Sequence, residues 1–184
     1  TTVRMVLMGR GPMVTLDPVN FGFIPAIPWY LVLGVLSGLA AVGFVRALAW
    51  CEDAFEHLEK LHLNDMWWPT LGGLGLGLIG YFVPKTLGSG YGVIADILNN
   101  KLTLGLLIAI LFCKPLAILI ALGSRTSGGT LAPMFMTGAA LGGVFAYAVN
   151  ALIPGAALSP AACAILAMAA FFGAAARAPF TFII

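Results

Sequence analysis

The chain has 184 residues, of which 61% are hydrophobic and 9% are charged, and its formal net charge is +2. A soluble domain carries about 25% charged residues, so this composition excludes an ordinary soluble domain and gives no reason to expect a nucleic-acid partner. There is room for roughly four or five membrane spans of about 20 residues each. We therefore expect an all-α integral membrane protein with a single membrane-embedded unit over residues 1–184.

The cysteines and histidines indicate neither a metal site nor a cofactor. Cys51, Cys113 and Cys163 are scattered through apolar sequence, a spacing that fits neither a disulfide framework nor a metal cluster. His57 and His62 are five residues apart, not the four that place two ligands on one helical face. The amino terminus does not start with Met and is too short for a signal peptide, so we expect a piece of a longer chain.

A long helix is predicted from Trp29 to about His62, after a proline-containing segment that forbids a continuous helix. The first two-thirds of this helix are apolar and its end is amphipathic, so we expect it to cross the bilayer and emerge into water. A solvated helix face explains the acidic residues near its end more simply than a metal or acid–base cluster does. These residues are Glu52, Asp53, Glu56 and Glu59.

The next predicted span, Leu71 to Val83, contains a glycine pattern that formally matches a dinucleotide-binding fingerprint. This run, Gly75–Gly80, is followed by Asp96 at about the distance of a ribose-binding acid. No strand is predicted before it, so we interpret its glycines as helix-packing residues. Three glycine pairs have the spacing that lets membrane helices approach closely: Gly34 with Gly38, Gly73 with Gly77, and Gly138 with Gly142.

The remainder of the chain reads as further spans separated by polar breaks. The first break, Leu87–Gly92, is assigned as flexible, and Val93–Leu98 is predicted to be a short helix between spans. A full span is predicted at Leu102–Leu122 and the next at Leu131–Val149. Pro160–Ile184 is predicted to be an Ala-rich span that is interrupted by Arg177-Ala178-Pro179.

A second polar, glycine-rich run, Gly123 to Pro133, lies between two of these apolar spans. Unpaired backbone groups at membrane depth are tolerated only where they are buried in protein or line a polar cavity. Pro133 suits the first turn of a helix, where a missing N–H costs nothing, and so it fixes the helix start near Thr130. A helix start offers free N–H groups and the positive end of the peptide dipole. The run therefore predicts an anion site.

All charged side chains after Asp96 are positive, which suits an anion pathway. Lys101 and Arg177 are interpreted as anchors at the membrane surface. Lys114 lies in the middle of an apolar span, and cations in such places face interiors or water-filled cavities. We therefore predict that Lys114 and Arg125 contribute electrostatics to the pathway.

These features resemble the CLC family of chloride channels and chloride/proton exchangers. Gly123 to Pro133 is similar to that family's GSGxSGG run followed by I/V-F-A-P, and Arg177-Ala178-Pro179 is similar to its RAP segment. The resemblance covers essentially the whole chain and implies the inverted-repeat helical fold, with a broken helix at the anion site. It assigns about residues 1–27 to the end of the first half and the connecting loop, and about residues 28–184 to the start of the second half.

The resemblance also implies roles for single residues. Backbone N–H groups of Thr130 and Leu131 would hold a dehydrated chloride, while Gly128 and Gly129 keep side chains out of its way. Leu131 stands where phenylalanine is common, and Arg125 stands where glycine is usual. Arg125 either adds positive charge near the anion route or pairs with a lipid or with an acidic group outside the chain. The predicted anion-binding set is Ser127, Gly128, Gly129, Thr130, Leu131 and Ala132.

The family's gating glutamate and pore tyrosine have no matching positions, and Gly9–Pro12 resembles the gate segment only superficially because it has no Glu. The sequence therefore leaves open whether the protein is a channel or a proton-coupled exchanger. The alternative is a non-transporting membrane scaffold that keeps the fold. An intramembrane enzyme is not expected, since no Gly-x-Ser-x-Gly, His-Glu-x-x-His or intramembrane Asp pair occurs. The resemblance implies a homodimer in the plasma (inner) membrane, with chloride as the transported ion and no cofactor.

Overall fold

The structure of the protein is a computed structural model that describes residue 21 and residues 26–59, 67–126, 128–153 and 157–177, with the backbone alone at residues 58 and 59. These described residues form helices and contain no strand, which confirms the all-α prediction. They comprise six α-helices: α1 (Ile27–Glu59), α2 (Trp68–Phe82), α3 (Tyr91–Leu98), α4 (Leu104–Gly123), α5 (Leu131–Leu152) and α6 (Pro160–Ala175). A short 3₁₀ turn, Pro84–Thr86, joins α2 to α3.

Helix α1 has 33 residues and presents an apolar face to its surroundings. Pro28 lies in its first turn, where a proline removes no helical hydrogen bond. Leu31, Val35 and Leu39 are exposed over 68%, 64% and 64% of their area. Such a face is unfavourable in water and is typical of a helix in a membrane protein. Its predicted end near His62 lies outside the described residues.

Three of the described helices are long and apolar enough to cross a membrane, namely α1, α4 and α5. The expected four or five full spans are therefore too many for the described part of the chain. Helix α2 has only 15 residues, a length of about 22 Å against a hydrocarbon core of about 30 Å, because Pro84 directly after Val83 prevents its continuation. Helix α6 ends at Ala175 and is therefore shorter than the span predicted to reach Ile184. Residues 178–184 lie outside the described residues.

Helix α5 lies at the centre of the described structure, in contact with α4 and α6. Met136, Ala139 and Ala146 on this helix have no exposed area. A Cβ added to Gly138 would lie 2.8 Å from the Cα atom of Met168, and one added to Gly142 would collide with the carbonyl group of Cys163 on α6. The prediction that this glycine pair permits close helix packing is confirmed.

The other two glycine pairs do not pack in this way. Among the described residues, no atom lies within 4 Å of a Cβ placed on Gly34, Gly38, Gly73 or Gly77, so that prediction was wrong for them. Helix α2 instead approaches α4 through Gly72, whose added Cβ would collide with Ser124. The spacing places two glycines on one face but does not say which face meets a neighbour.

The run Gly75–Gly80 lies inside helix α2, and the described residues contain no strand before it. A Cβ on Gly75 would lie 3.2 Å from the side chain of Ile120 on α4. Asp96 lies 3.8 Å from the ammonium nitrogen of Lys85, and both side chains are well exposed. The interpretation of these glycines as packing residues is confirmed for Gly75.

Candidate functional site

The break between α4 and α5 begins at a left-handed turn and ends at a helix start. Helix α4 stops at Gly123, and Arg125 adopts a positive φ of 58°. Helix α5 begins at Leu131, with Thr130 as its N-cap and Pro133 in its first turn. This confirms the prediction that a new helix begins near Thr130.

The first turn of α5 leaves backbone N–H groups available. The N–H of Met134 donates to the carbonyl oxygen of Thr130 at 3.1 Å, which is the first bond of the helix. Leu131 and Ala132 precede it, so their N–H groups have no acceptor within the helix. The Thr130 side chain makes no capping hydrogen bond with them among the described residues. These N–H groups and the helix dipole create a positive potential at the start of α5.

Space in front of this helix start is open. Gly128 and Gly129 are exposed, and no described atom lies within 4 Å of a Cβ built on either one. A cavity of about 330 Å³ reaches this region, and its lining includes Gly129 and Pro133 as well as Thr86, Gly88 and Lys114. The first turn of α5 and a buried lysine therefore border one cavity.

Lys114 is buried in this cavity wall, with 5% of its area exposed. Its ammonium nitrogen donates to the carbonyl oxygen of Thr86 at 2.6 Å and to that of Gly88 at 2.9 Å. Carbonyl oxygens solvate the ammonium without neutralising its charge, and a lysine has three N–H donors. The two carbonyl oxygens satisfy two of the three N–H donors of the ammonium form and leave the third available at the cavity.

Sequence reasoning missed the residues that hold Lys114. The sequence predicts a flexible segment at Leu87–Gly92, but Gly88 has a φ of 79° and its carbonyl oxygen accepts a bond from Lys114. Thr86 is also buried. The signal that could have identified these acceptors was Lys114 itself, because a buried ammonium needs hydrogen-bond acceptors. The polar break Leu87–Gly92 supplies free carbonyl groups.

Arg125 borders a different cavity. Its guanidinium carbon lies 4.5 Å from the ring centroid of Trp68, and the cavity of about 180 Å³ beside it is also lined by Glu52 and Glu56. The two carboxylates near Arg125 thus lie within the chain, and both sequence interpretations of Arg125 stay predictions. Glu52 and Glu56 are exposed, as expected of a solvated helix face.

The predicted anion-binding residues lie together at the start of α5, except for Ser127, which lies outside the described residues. Gly128 and Gly129 precede the helix, Thr130 caps it, and Leu131 and Ala132 are its first two residues. Their assignment as anion ligands stays a prediction. Another cavity, of about 560 Å³, lies elsewhere and is almost wholly apolar; its one polar lining residue, Thr137, donates its hydroxyl to the carbonyl oxygen of Pro133.

Comparison with known proteins decides the family. The family model described as voltage gated chloride channel matches residues 1–184. The chain belongs to this chloride channel family. The resemblance drawn from the glycine-rich break and the Arg177 segment is thus confirmed.

Members of the family similar to this chain include both exchangers and a channel. The chain is 30% identical to the H(+)/Cl(-) exchange transporter ClcA of Vibrio campbellii, with 97% of this chain and 38% of that protein covered. It is 34% identical to the ClcA exchanger of Klebsiella pneumoniae, with 99% and 39% covered. It is 33% identical to the chloride channel protein CLC-f of Arabidopsis thaliana, with 98% and 25% covered. The chain therefore spans about two-fifths or less of the length of these relatives.

Proposed function

We propose that this chain forms part of a chloride pathway across a membrane, as a segment of a chloride channel or a chloride/proton antiporter. The observation that carries the proposal is the cavity shared by the first turn of α5 and the buried ammonium of Lys114. The backbone donors and the dipole at the start of α5 adjoin this cavity through Gly129 and Pro133, and Lys114 lines it. The three long apolar helices supply the membrane setting.

The chemistry of this site suits transport of an anion better than its tight binding. Chloride sheds part of its water and is held by the N–H groups of Thr130, Leu131 and Ala132. Conduction needs a site that is favourable enough to enter and weak enough to leave. Partial charges at a helix start meet this need, because they attract an anion without the deep well of a direct ion pair.

Lys114 acts on the ion through its field. Two carbonyl oxygens hold its ammonium in the cavity wall, so the side chain is not free to follow the ion. A fixed cation beside the route raises the local anion concentration and speeds entry. Gly128 and Gly129 leave the approach to the helix start clear of side chains.

The relatives supply the two candidate mechanisms. The bacterial ones are named as proton-coupled chloride exchangers and the plant one as a chloride channel. The deciding experiment uses the full-length protein in chloride-loaded liposomes, with the membrane potential clamped by valinomycin. Chloride efflux and external pH are recorded together, with protein-free liposomes as the control.

Each result of this experiment has one meaning. Chloride efflux coupled to proton movement identifies an antiporter, and efflux without proton movement identifies a channel. Absence of chloride efflux from a correctly folded protein overturns the proposal and favours a non-transporting membrane scaffold.

The resemblance to the family further supports a homodimer in the plasma (inner) membrane, with a separate pathway in each subunit. Single-molecule photobleaching of the labelled full-length protein in liposomes tests this assembly. Two bleaching steps per particle are expected, and a single step for nearly all particles contradicts it.

A further inference from the structure

Helix α1, the start of α2 and the end of α4 meet beside the beginning of the glycine-rich break. The rings of Phe55 on α1 and Trp68 on α2 lie 6.0 Å apart between centroids. A Cβ on Gly123, the last residue of α4, would lie 2.8 Å from the sulfur of Cys51 on α1. Trp68 is almost fully buried, with 1% of its area exposed. The end of α4 is therefore closely packed against α1.

Arg125 occupies a backbone position that favours glycine. Its N–H donates to the carbonyl oxygen of Leu122 at 3.0 Å, and the N–H of Thr126 donates to that of Ala121 at 3.2 Å. This pair of bonds closes a helix with a left-handed residue, for which glycine is usual because it has no Cβ. An arginine with a φ of 58° is strained there. Favourable contacts of its side chain would offset part of this strain.

Those contacts join the break to the other two helices. The guanidinium of Arg125 stacks on Trp68, with its carbon 4.5 Å from the ring centroid, and cations are attracted to the faces of such rings. Glu52 and Glu56, one helical turn apart on α1, line the same cavity as Arg125 and add negative potential beside it. The arginine is thus placed between an aromatic face and two carboxylates.

The residues next to Arg125 are also held in place. Ser124 is fully buried, and its hydroxyl bonds to the carbonyl oxygen of Ala121 at 2.9 Å and lies 3.1 Å from the hydroxyl oxygen of Thr126. Beyond Thr126, the glycines at 128 and 129 have little conformational restraint of their own. The anchored turn at residues 124–126 therefore determines where the loop to α5 begins.

We propose that Arg125 is a positioning residue: its stacking on Trp68 anchors the end of α4 and thereby places the backbone donors at the start of α5. It acts through the loop and does not contact the ion. This inference rests on the proposed anion pathway, because what is positioned is the donor set of Thr130 and Leu131.

The test compares Arg125→Asn, Arg125→Lys and Arg177→Asn in the full-length protein. Asparagine tolerates the left-handed conformation but removes the guanidinium, whereas lysine keeps a cation over the ring. Arg177 is the matched control, since it is an exposed arginine with a φ of 54° just after the end of α6. Hydrogen exchange is measured at the hydrogen-bonded amides of Thr126 and Met134, and chloride flux is measured against chloride concentration.

We expect Arg125→Asn to raise the exchange rate at Thr126 and Met134 at least tenfold and the KM for chloride at least threefold, with maximal flux changed less than twofold. In Arg125→Lys, the exchange rates and the KM for chloride stay close to those of the unsubstituted protein. Arg177→Asn changes neither quantity. In the Arg125→Asn background, Trp68→Phe adds no further change in KM, because the stacking is already lost. A side chain with a purely structural role in folding would lower maximal flux without this rise in KM.

Two results separate failure of this inference from failure of the proposed function. Normal chloride flux with unchanged exchange and KM in Arg125→Asn overturns the positioning role and leaves the pathway proposal standing. Absence of flux in the unsubstituted protein overturns the pathway proposal, and the exchange rates then decide alone whether Arg125 anchors the break. Equal effects of Arg125→Asn and Arg177→Asn at Thr126 also overturn the positioning role.

Discussion

The ammonium nitrogen of Lys114 lies 2.9 Å from the carbonyl oxygen of Gly88, a residue 26 positions earlier in the chain. This bond ties the middle of a membrane-spanning helix to the turn before α3. It also keeps the Lys114 side chain in the wall of the cavity that reaches the start of α5.

Replacing Lys114 by methionine removes the charge and keeps the length of the side chain. Chloride flux in liposomes is expected to fall about tenfold or more, since a fixed charge beside an ion route changes entry rates by roughly 10–10³-fold. Lys114→Arg keeps a cation that is able to bond the same carbonyl oxygens, so it should retain most of the flux. Lys101→Met serves as the control because Lys101 is exposed; an equal loss in that variant would contradict the local role of Lys114.

A glutamate at Gly128 places a negative charge in front of the α5 start. No described atom lies within 4 Å of a Cβ at this position, so Gly128→Glu and Gly128→Ala are both sterically allowed. Chloride affinity, measured by isothermal titration of the purified full-length protein, should be lost in Gly128→Glu and stay close to the original in Gly128→Ala. The physical reason is the repulsion between the carboxylate and an anion at the helix start.

The matched control for this charge is Gly105→Glu. Gly105 is an exposed glycine in the first turn of α4, and its Cβ position is likewise open among the described residues. Both substitutions thus add a carboxylate near a helix start, but only residue 128 adjoins the candidate site. Unchanged chloride affinity in Gly128→Glu would refute the assignment of the site.

Two glycines with the same sequence spacing should respond differently to alanine. A Cβ on Gly142 would collide with the carbonyl group of Cys163, whereas one on Gly73 meets no described atom within 4 Å. Gly142→Ala should lower the free energy of unfolding by about 1–3 kcal/mol through overpacking. Gly73→Ala should raise it by about 0.5–1 kcal/mol, because glycine is entropically unfavourable inside a helix. Thermal unfolding in detergent, followed by tryptophan fluorescence, compares the two; similar losses in both variants would contradict the packing described for α5 and α6.

The sequence allowed prediction of the features that depend on neighbouring residues. A polar glycine-rich run with Pro133 just beyond it was enough to locate the start of α5, since proline is favourable only in the first turn of a helix. The apolar spans of α1, α4 and α5 followed from length and hydrophobicity. These features depend on neighbouring residues in the sequence, so they can be predicted without knowledge of the tertiary contacts.

Features that depend on distant residues were not predictable. Nothing in the residues around Lys114 identifies Thr86 and Gly88 as its acceptors, because the bonds form only after α4 packs beside the preceding turn. The rotation of α2 is a second example: Gly72 faces α4, while Gly73 and Gly77 face open space. A helix can present either face to a neighbour when both are apolar, so three-dimensional packing has to decide.

The loop between α5 and α6 is held by the side-chain amide of Asn150. Its nitrogen donates to the carbonyl oxygen of Leu158 at 2.9 Å, and its oxygen accepts from the N–H of the same residue at 2.9 Å. Leu158 is buried, with 3% of its area exposed, so water cannot readily replace these bonds. Asn150→Ala should lower the free energy of unfolding by about 2 kcal/mol or more, since two buried backbone groups lose their partners.

Ser159→Ala provides the comparison in the same loop. The Ser159 hydroxyl accepts from the N–H of Ala162 at 3.5 Å, a long bond that caps α6. Its loss should cost less than about 1 kcal/mol, at the weak end of N-cap effects. Thermal unfolding of both variants tests the order of the two effects. A larger loss for Ser159→Ala than for Asn150→Ala would mean that the cap of α6, and not the paired amide bonds of Asn150, holds this loop against α5.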